Sequence, residues 1–101
     1  MTLDDLVERV EQWARDRQII PNSNPSAQLL KCMSELGELA DATLKHNRFE
    51  IIDGLGDTLV TLIAYAALQG VSLRDSLETA YNEIKDRKGY LTPAGVFVKE
   101  V

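Results

Sequence analysis

The chain has 101 residues and a formal net charge of −5, with 45% hydrophobic and 27% charged residues, the composition of one globular domain whose small core would gain from self-association. The acidic balance argues against a broad surface for duplex nucleic acid. No apolar run reads as a membrane span, and the start Met1-Thr2-Leu3-Asp4-Asp5 lacks the basic opening of a secretory signal.

A first helix is expected from about Leu3 to Gln18. Thr2 or Asp4 can cap it, and Leu6, Val10, Trp13 and Ala14 form its apolar stripe. Ile19 to Pro25 is a turn-rich break. Asn24 suits the cap of a second helix that starts near Pro25 or Ser26. The apolar face of that helix is Leu29, Cys32, Met33, Leu36, Leu39, Ala40 and Leu44, with Glu35 and Glu38 off its centre. Cys32, the lone cysteine, has no partner for an internal disulfide and fits a cytoplasmic setting. Lys45-His46-Asn47-Arg48 is a short polar connection in which His46 reads as a connector residue. Such a short link favours antiparallel neighbours.

A third helix follows from about Phe49 to Gln69 and is apolar on nearly every side from Thr58 to Leu68. A helix of that kind is central in its fold or lies at a subunit interface. Gly70 stops it. Ser72 caps a fourth helix, from about Leu73 to Lys88, that Gly89 ends. The tail from Tyr90 to Val98 holds a Pro93-Ala94-Gly95 turn between apolar pieces, as in a small hairpin or an extended arm. The predicted fold class is all-α: one domain, an antiparallel bundle of about four helices with a short C-terminal tail.

Two acidic clusters interrupt these helices: Ser34-Glu35-Leu36-Gly37-Glu38 and Glu50-Ile51-Ile52-Asp53-Gly54-Leu55-Gly56-Asp57. Residues three or four apart share a helix face. Glu35 and Glu38 therefore project together, as do Glu50, Asp53 and Asp57. If the two helices pair antiparallel, four or five carboxylates meet, and they stay ionised only around a positive charge. All-oxygen ligands select a hard cation, Mg²⁺ or Mn²⁺. A bland reading also exists, since acids at this spacing often form a solvated face. Against it, Asp and Gly are poor helix formers, and Asp53-Gly54-Leu55-Gly56-Asp57 breaks local rules as functional sites do. Gly37, Gly54 and Gly56 would let the facing helices approach closely.

Ser34-Glu35-Leu36-Gly37-Glu38-Leu39-Ala40-Asp41-Ala42, followed by Asp53-Gly54-Leu55-Gly56-Asp57-Thr58-Leu59-Val60, resembles the MazG-like all-α nucleoside triphosphate pyrophosphohydrolases. The ending from Asn82 to Gly89 and then Gly95 to Glu100 is similar to a compact phage-type subgroup. The resemblance runs from about Trp13 to the C-terminus. It carries Glu35 and Glu38 onto the second and third acids of a Glu-Glu-x-x-Glu motif, and Asp57 onto the aspartate of Glu-x-x-Asp. Ser34 and Gly54 depart from the pattern, so Asp53 or Glu50 would supply the remaining ligand.

The resemblance implies hydrolysis of a nucleoside triphosphate to monophosphate and pyrophosphate, with water attacking in line beside divalent ions. Glu35, Glu38, Asp57 and either Asp53 or Glu50 would hold the ions; Glu35 is a ligand or the base that orients water. Lys85, Arg87, Lys88 and Asn82 would clamp the phosphates, and Lys31 could reach one. Gln28 and Asn24 are candidates to contact the base. Trp13 is either a stacking surface or core, and Tyr81 is core or pocket rim. The expected substrate is a deoxynucleoside triphosphate, with dGTP first. The expected protein is a homodimer or a dimer of dimers, in the host cytoplasm if phage-encoded, without nucleic-acid or membrane partners. The competing readings are a dUTPase-like or dCTPase-like enzyme on the same scaffold, a non-catalytic helical module whose acidic groove binds a basic partner, and a purely structural bundle.

Overall fold

A computed structural model describes residues 1–100. Five helices run in chain order: α1 (Leu3–Asp16), α2 (Ile19–Asn22), α3 (Pro25–Leu44), α4 (Arg48–Leu68) and α5 (Leu73–Ile84). An antiparallel hairpin of β1 (Gly89–Leu91) and β2 (Phe97–Lys99) closes the chain, with Tyr90 opposite Val98. The fold is all-α with a small hairpin, as the sequence predicts, with one helical turn more than expected. The extra turn, α2, falls in the break after α1, and Ile20 within it is not helical.

The caps follow the sequence. The Thr2 hydroxyl oxygen accepts from the Asp5 amide and the Asp5 carboxylate accepts from the Thr2 amide, a closed capping box. Asn24, Asn47 and Ser72 accept from Ala27, Glu50 and Asp75 respectively, each satisfying one orphan amide of a first turn. Gly70, at φ +69°, turns the chain out of α4.

The fourth predicted helix is shorter than expected. It ends at Ile84, so Lys85, Arg87 and Lys88 lie in the connection to the hairpin and not on a helical face. The hairpin competes for this backbone: the Lys88 carbonyl accepts from the Glu100 amide at 2.7 Å. Gly89 opens β1 rather than closing the helix. A Cβ there would overlap the Val98 carbonyl oxygen and the Phe97 ring, so only glycine fits.

α3 and α4 make the most extensive contact of any two elements and form the centre of the chain. The line from α3 is Cys32, Glu35, Leu39 and Ala42. Leu39 meets Gly54 of α4, and Thr58 and Thr61 are buried on the same helix. The two buried hydroxyls are satisfied within α4, Thr58 by the Gly54 carbonyl at 2.8 Å and Thr61 by the Thr58 carbonyl at 2.7 Å. Glu35 is thus on the buried line and not beside it, and is only 7% exposed. Its place in the core corrects the expected stripe: Leu29, Met33, Leu36 and Leu44 are exposed in the chain taken alone.

Of the three glycines expected to admit close approach, only Gly54 does so. A Cβ on Gly54 would lie 3.3 Å from Leu39 Cα, whereas Gly37 and Gly56 face open space. By length and composition α4 could cross a membrane, with mean hydropathy 1.5, which corrects the expectation that no run is long enough. Its packing on α3 and its neighbours buries 33% of that apolar stretch, and Ile52, Leu55 and Leu59 stay exposed in the chain taken alone.

Candidate active site

Gly54 is where the site begins. The close approach of α4 to Leu39 sets Glu38, one residue before Leu39, against Asp53, one residue before Gly54. A cleft of about 310 Å³ results, lined by Glu38, Asp41, Lys45, Glu50, Asp53 and Gly54. Asp41 and Lys45 were not singled out from the sequence. Their signal was spacing alone, one and two turns beyond Glu38. Lys45 Nζ lies 2.8 Å from Asp41 Oδ2. Asp41 and then Glu50 raise the Lys45 ammonium above its ordinary range.

Glu35 and Asp57 continue the acidic line toward the other end. The Glu38 carboxyl is raised above its usual value by Glu35, which favours its protonated form as a hydrogen-bond donor and repels its ionised form. Asp57 is raised too, first by loss of surrounding water, then by Asp53 and Glu35. Lys31 pulls both down, and its Nζ lies 3.2 Å from Glu35 Oε1. Glu35 Oε2 is buried with no hydrogen-bond partner.

Among the described residues, no three or more carboxylates, histidines or cysteines form a ready-made metal cage. The acids nonetheless fit a hard cation. They supply oxygen only, they raise one another, and one buried oxygen lacks the partner that such an atom needs. A glutamate at position 54 would start 3.3 Å from Leu39 Cα, a tight fit against the facing helix. Asp53, beside it, lines the cleft. Ser34, the other departure, is exposed.

The raised carboxyls make a pH prediction. A carboxyl raised on folding holds its proton more tightly in the native state. Its contribution is full below the unfolded values, 4.5 for Glu38 and 3.8 for Asp57, and is lost as pH rises through the folded values. In EDTA, the urea midpoint should therefore fall as pH rises above these unfolded values, through the two groups. Glu38→Gln should flatten that slope, and an unchanged slope in this variant would separate the effect from the cluster.

The remaining candidates lie elsewhere. Asn24 spends its side-chain oxygen on the α3 cap. Gln28 donates to Ser23 Oγ at 3.1 Å. Trp13 is not core: it is 42% exposed, with the Arg17 guanidinium 5.2 Å above its ring. Asn82 and Tyr81 are exposed on α5. Arg87 and Lys88 line a second cavity with Glu83, Asp86, Lys99 and Glu100, which shares no residue with the acidic cleft. Lys85 is exposed and makes no ion pair among the described residues.

Fold and cleft together define an all-α domain with an acidic groove between its two longest helices. Residues 23–92 match the MazG nucleotide pyrophosphohydrolase domain, and the chain belongs to that family. The match spans both acidic clusters. An uncharacterized 18.2 kDa protein from the rep-hol intergenic region of Haemophilus phage HP1 is 38% identical over 64 residues. The aligned stretch is 63% of this chain and 39% of that protein, so the chain spans well under half of its relative's length. Among solved structures, the cyanophage S-2L MazG-like pyrophosphohydrolase bound to dGDP and three catalytic Mn²⁺ ions per active site is similar, with a TM-score of 0.72. It is 19% identical, over 100% of this chain and 99% of its own, and the likeness establishes the shared fold.

Proposed function

We propose that the chain hydrolyses a nucleoside triphosphate between the α and β phosphates, giving the monophosphate and pyrophosphate. The observation that carries this reading is Glu35: a buried carboxylate with an unpartnered oxygen, one helical turn from Glu38, inside the family's matched region. Glu35, Glu38, Asp57 and Asp53 hold Mg²⁺ or Mn²⁺, with Glu50 at the far end of the same cleft. Bound there, the ions offset phosphate charge and favour attack of water on the anhydride. Glu38 and Asp57 fix the phosphate position between α3 and α4. The rigid packing at Gly54 and Leu39 keeps the two acidic lines in register.

Arg87, Lys88 and Lys85 serve the outer phosphates. Their cavity is separate from the acidic cleft of the same chain, which supports delivery of this basic end by a second copy. The surface supports assembly as well. A folded chain of this mass exposes about 5,700 Å², yet this one exposes 7809 Å². Its radius of gyration is 16.1 Å, against about 13 Å for a compact domain of similar length. We therefore read the protein as a homodimer or a dimer of dimers. The phage relative supports a role in the cytoplasm of a bacterial host.

The substrate read here is a deoxynucleoside triphosphate, with dGTP the first to test, since the cyanophage enzyme is bound to dGDP. The test is incubation with each common NTP and dNTP in Mg²⁺ or Mn²⁺, followed by separation of products. Pyrophosphate release is expected, with dGTP among the best substrates. Preference for dUTP or dCTP would move the substrate and keep the chemistry. Orthophosphate alone would overturn the bond assignment, and no turnover would favour a binding module.

A further inference from the structure

The contact between Lys31 and Glu35 is unlike the other ion pairs of the chain. Lys45 with Asp41, and Arg74 with Asp4 or Glu78, join side chains that are about equally exposed, and Arg15 with Glu11 joins side chains 49% and 31% exposed. In the Lys31 pair the glutamate side chain is 9% exposed and the lysine 61%. A nearly buried carboxylate is thus held by an ammonium that stands mostly in water. The order along the helix is also the weaker one, lysine before glutamate, against the helix dipole. Helix stability alone gives little reason for the pair.

Electrostatics gives a better one. A carboxylate taken out of water must be paired or lose its charge. Lys31 pairs one oxygen, Oε1, and leaves Oε2 with none. It also sits close enough to act on Glu38 and Asp57. One ammonium on a flexible stem therefore neutralises the centre of the acidic line. The other cleft lysine, Lys45, is committed to Asp41 and Glu50 at the opposite end.

We propose that Lys31 is a resident counter-ion, which keeps Glu35 oriented for a divalent cation and gives up that carboxylate when the cation binds. Ammonium and divalent ion compete for the same carboxylate. Lys31 loses little on leaving, because its side chain already stands mostly in water. The ion gains more, because it can take the oxygen that Lys31 leaves unpaired. The released ammonium remains one helical turn from Glu35, within reach of an anion bound over the ions. The proposal rests on the metal-binding part of the function proposed above, and not on turnover.

Calorimetric titration with Mn²⁺ alone, at about pH 8 where free carboxylates are ionised, tests it across a series at position 31. Lys31→Met removes the competitor and should bind Mn²⁺ about tenfold more tightly than the wild type. Lys31→Arg presents a planar fork that can engage both Glu35 oxygens, and should bind Mn²⁺ more weakly than the wild type. Lys45→Met should show a smaller gain than Lys31→Met. In the wild type, Mn²⁺ should also raise the reactivity of the Lys31 amine toward an acylating reagent, read by peptide mass spectrometry.

The order Met, then Lys, then Arg is what competition requires. A lysine that only supports the helix would rank arginine with the wild type and leave Mn²⁺ affinity unmoved. Equal or weaker binding by Lys31→Met overturns the proposal, and so does an equal gain from Lys45→Met. Failure of every variant and the wild type to bind Mn²⁺ overturns it together with the metal site. Mn²⁺ binding in the expected order without nucleotide hydrolysis supports it and overturns only the proposed activity.

Discussion

Glu38→Gln and Asp57→Asn should each lower metal-dependent turnover by about a hundredfold or more while leaving the helical content unchanged. Both side chains are raised carboxyls on facing helices, and each works on Glu35 or is worked on by it. Replacing either by its amide keeps size and hydrogen bonding but removes a charged oxygen that a hard cation needs. Removing a repelling charge also relieves the native state in the absence of divalent ions. The metal-free melting temperature at neutral pH should therefore match or exceed that of the wild type, whereas Mn²⁺ should raise it less. Loss of activity with unchanged metal-free stability distinguishes a ligand from a structural residue. Circular dichroism melts with and without Mn²⁺, beside product analysis, provide both readings. Wild-type rates in both variants would remove these residues from the site.

Leu36→Asp and Leu59→Asp should break the assembly, so that the protein sediments as a monomer, loses helical content or precipitates. Both leucines lie outside the α3–α4 seam and are exposed in the single chain. They belong to uncovered stripes: Leu29, Met33 and Leu36 on α3, and Ile52, Leu55 and Leu59 on α4. Soluble monomers rarely leave so many large apolar side chains together in water. The surface in excess of a compact monomer, roughly 2,100 Å² per chain, is on the scale of an obligate homodimer interface. Folding and association are then linked, and a charge placed in the seam between copies costs both. Sedimentation of the wild type at micromolar concentration should show no monomer. A stable wild-type monomer, or variants that assemble normally, would contradict this reading.

The helices were legible because their signals are local. Thr2, Asn24, Asn47 and Ser72 stand where first turns need acceptors, and Gly70 stands where the chain leaves the helical region. The spacing of Glu35 with Glu38, and of Asp53 with Asp57, was enough to put each pair on one face. The short link after Leu44 was enough to turn α4 back along α3. The end of α5 was not legible. Whether Lys85 to Lys88 extend a helix depends on a hairpin ten residues further on, whose Glu100 amide takes the Lys88 carbonyl.

The amino-acid order alone therefore determined an all-α chain with two acidic lines on adjoining antiparallel helices. It did not determine which side of α3 faces inward, because α3 carries apolar residues on two sides and periodicity weighs them equally. The tertiary structure decided that through Gly54. The one position on α4 without a side chain against α3 leaves Leu39 a space that a Cβ, at 3.3 Å from Leu39 Cα, would crowd, and Cys32, Glu35 and Ala42 are buried on the same line. That choice buries a carboxylate that the pattern had placed at the edge, and leaves Leu36 and Met33 outside.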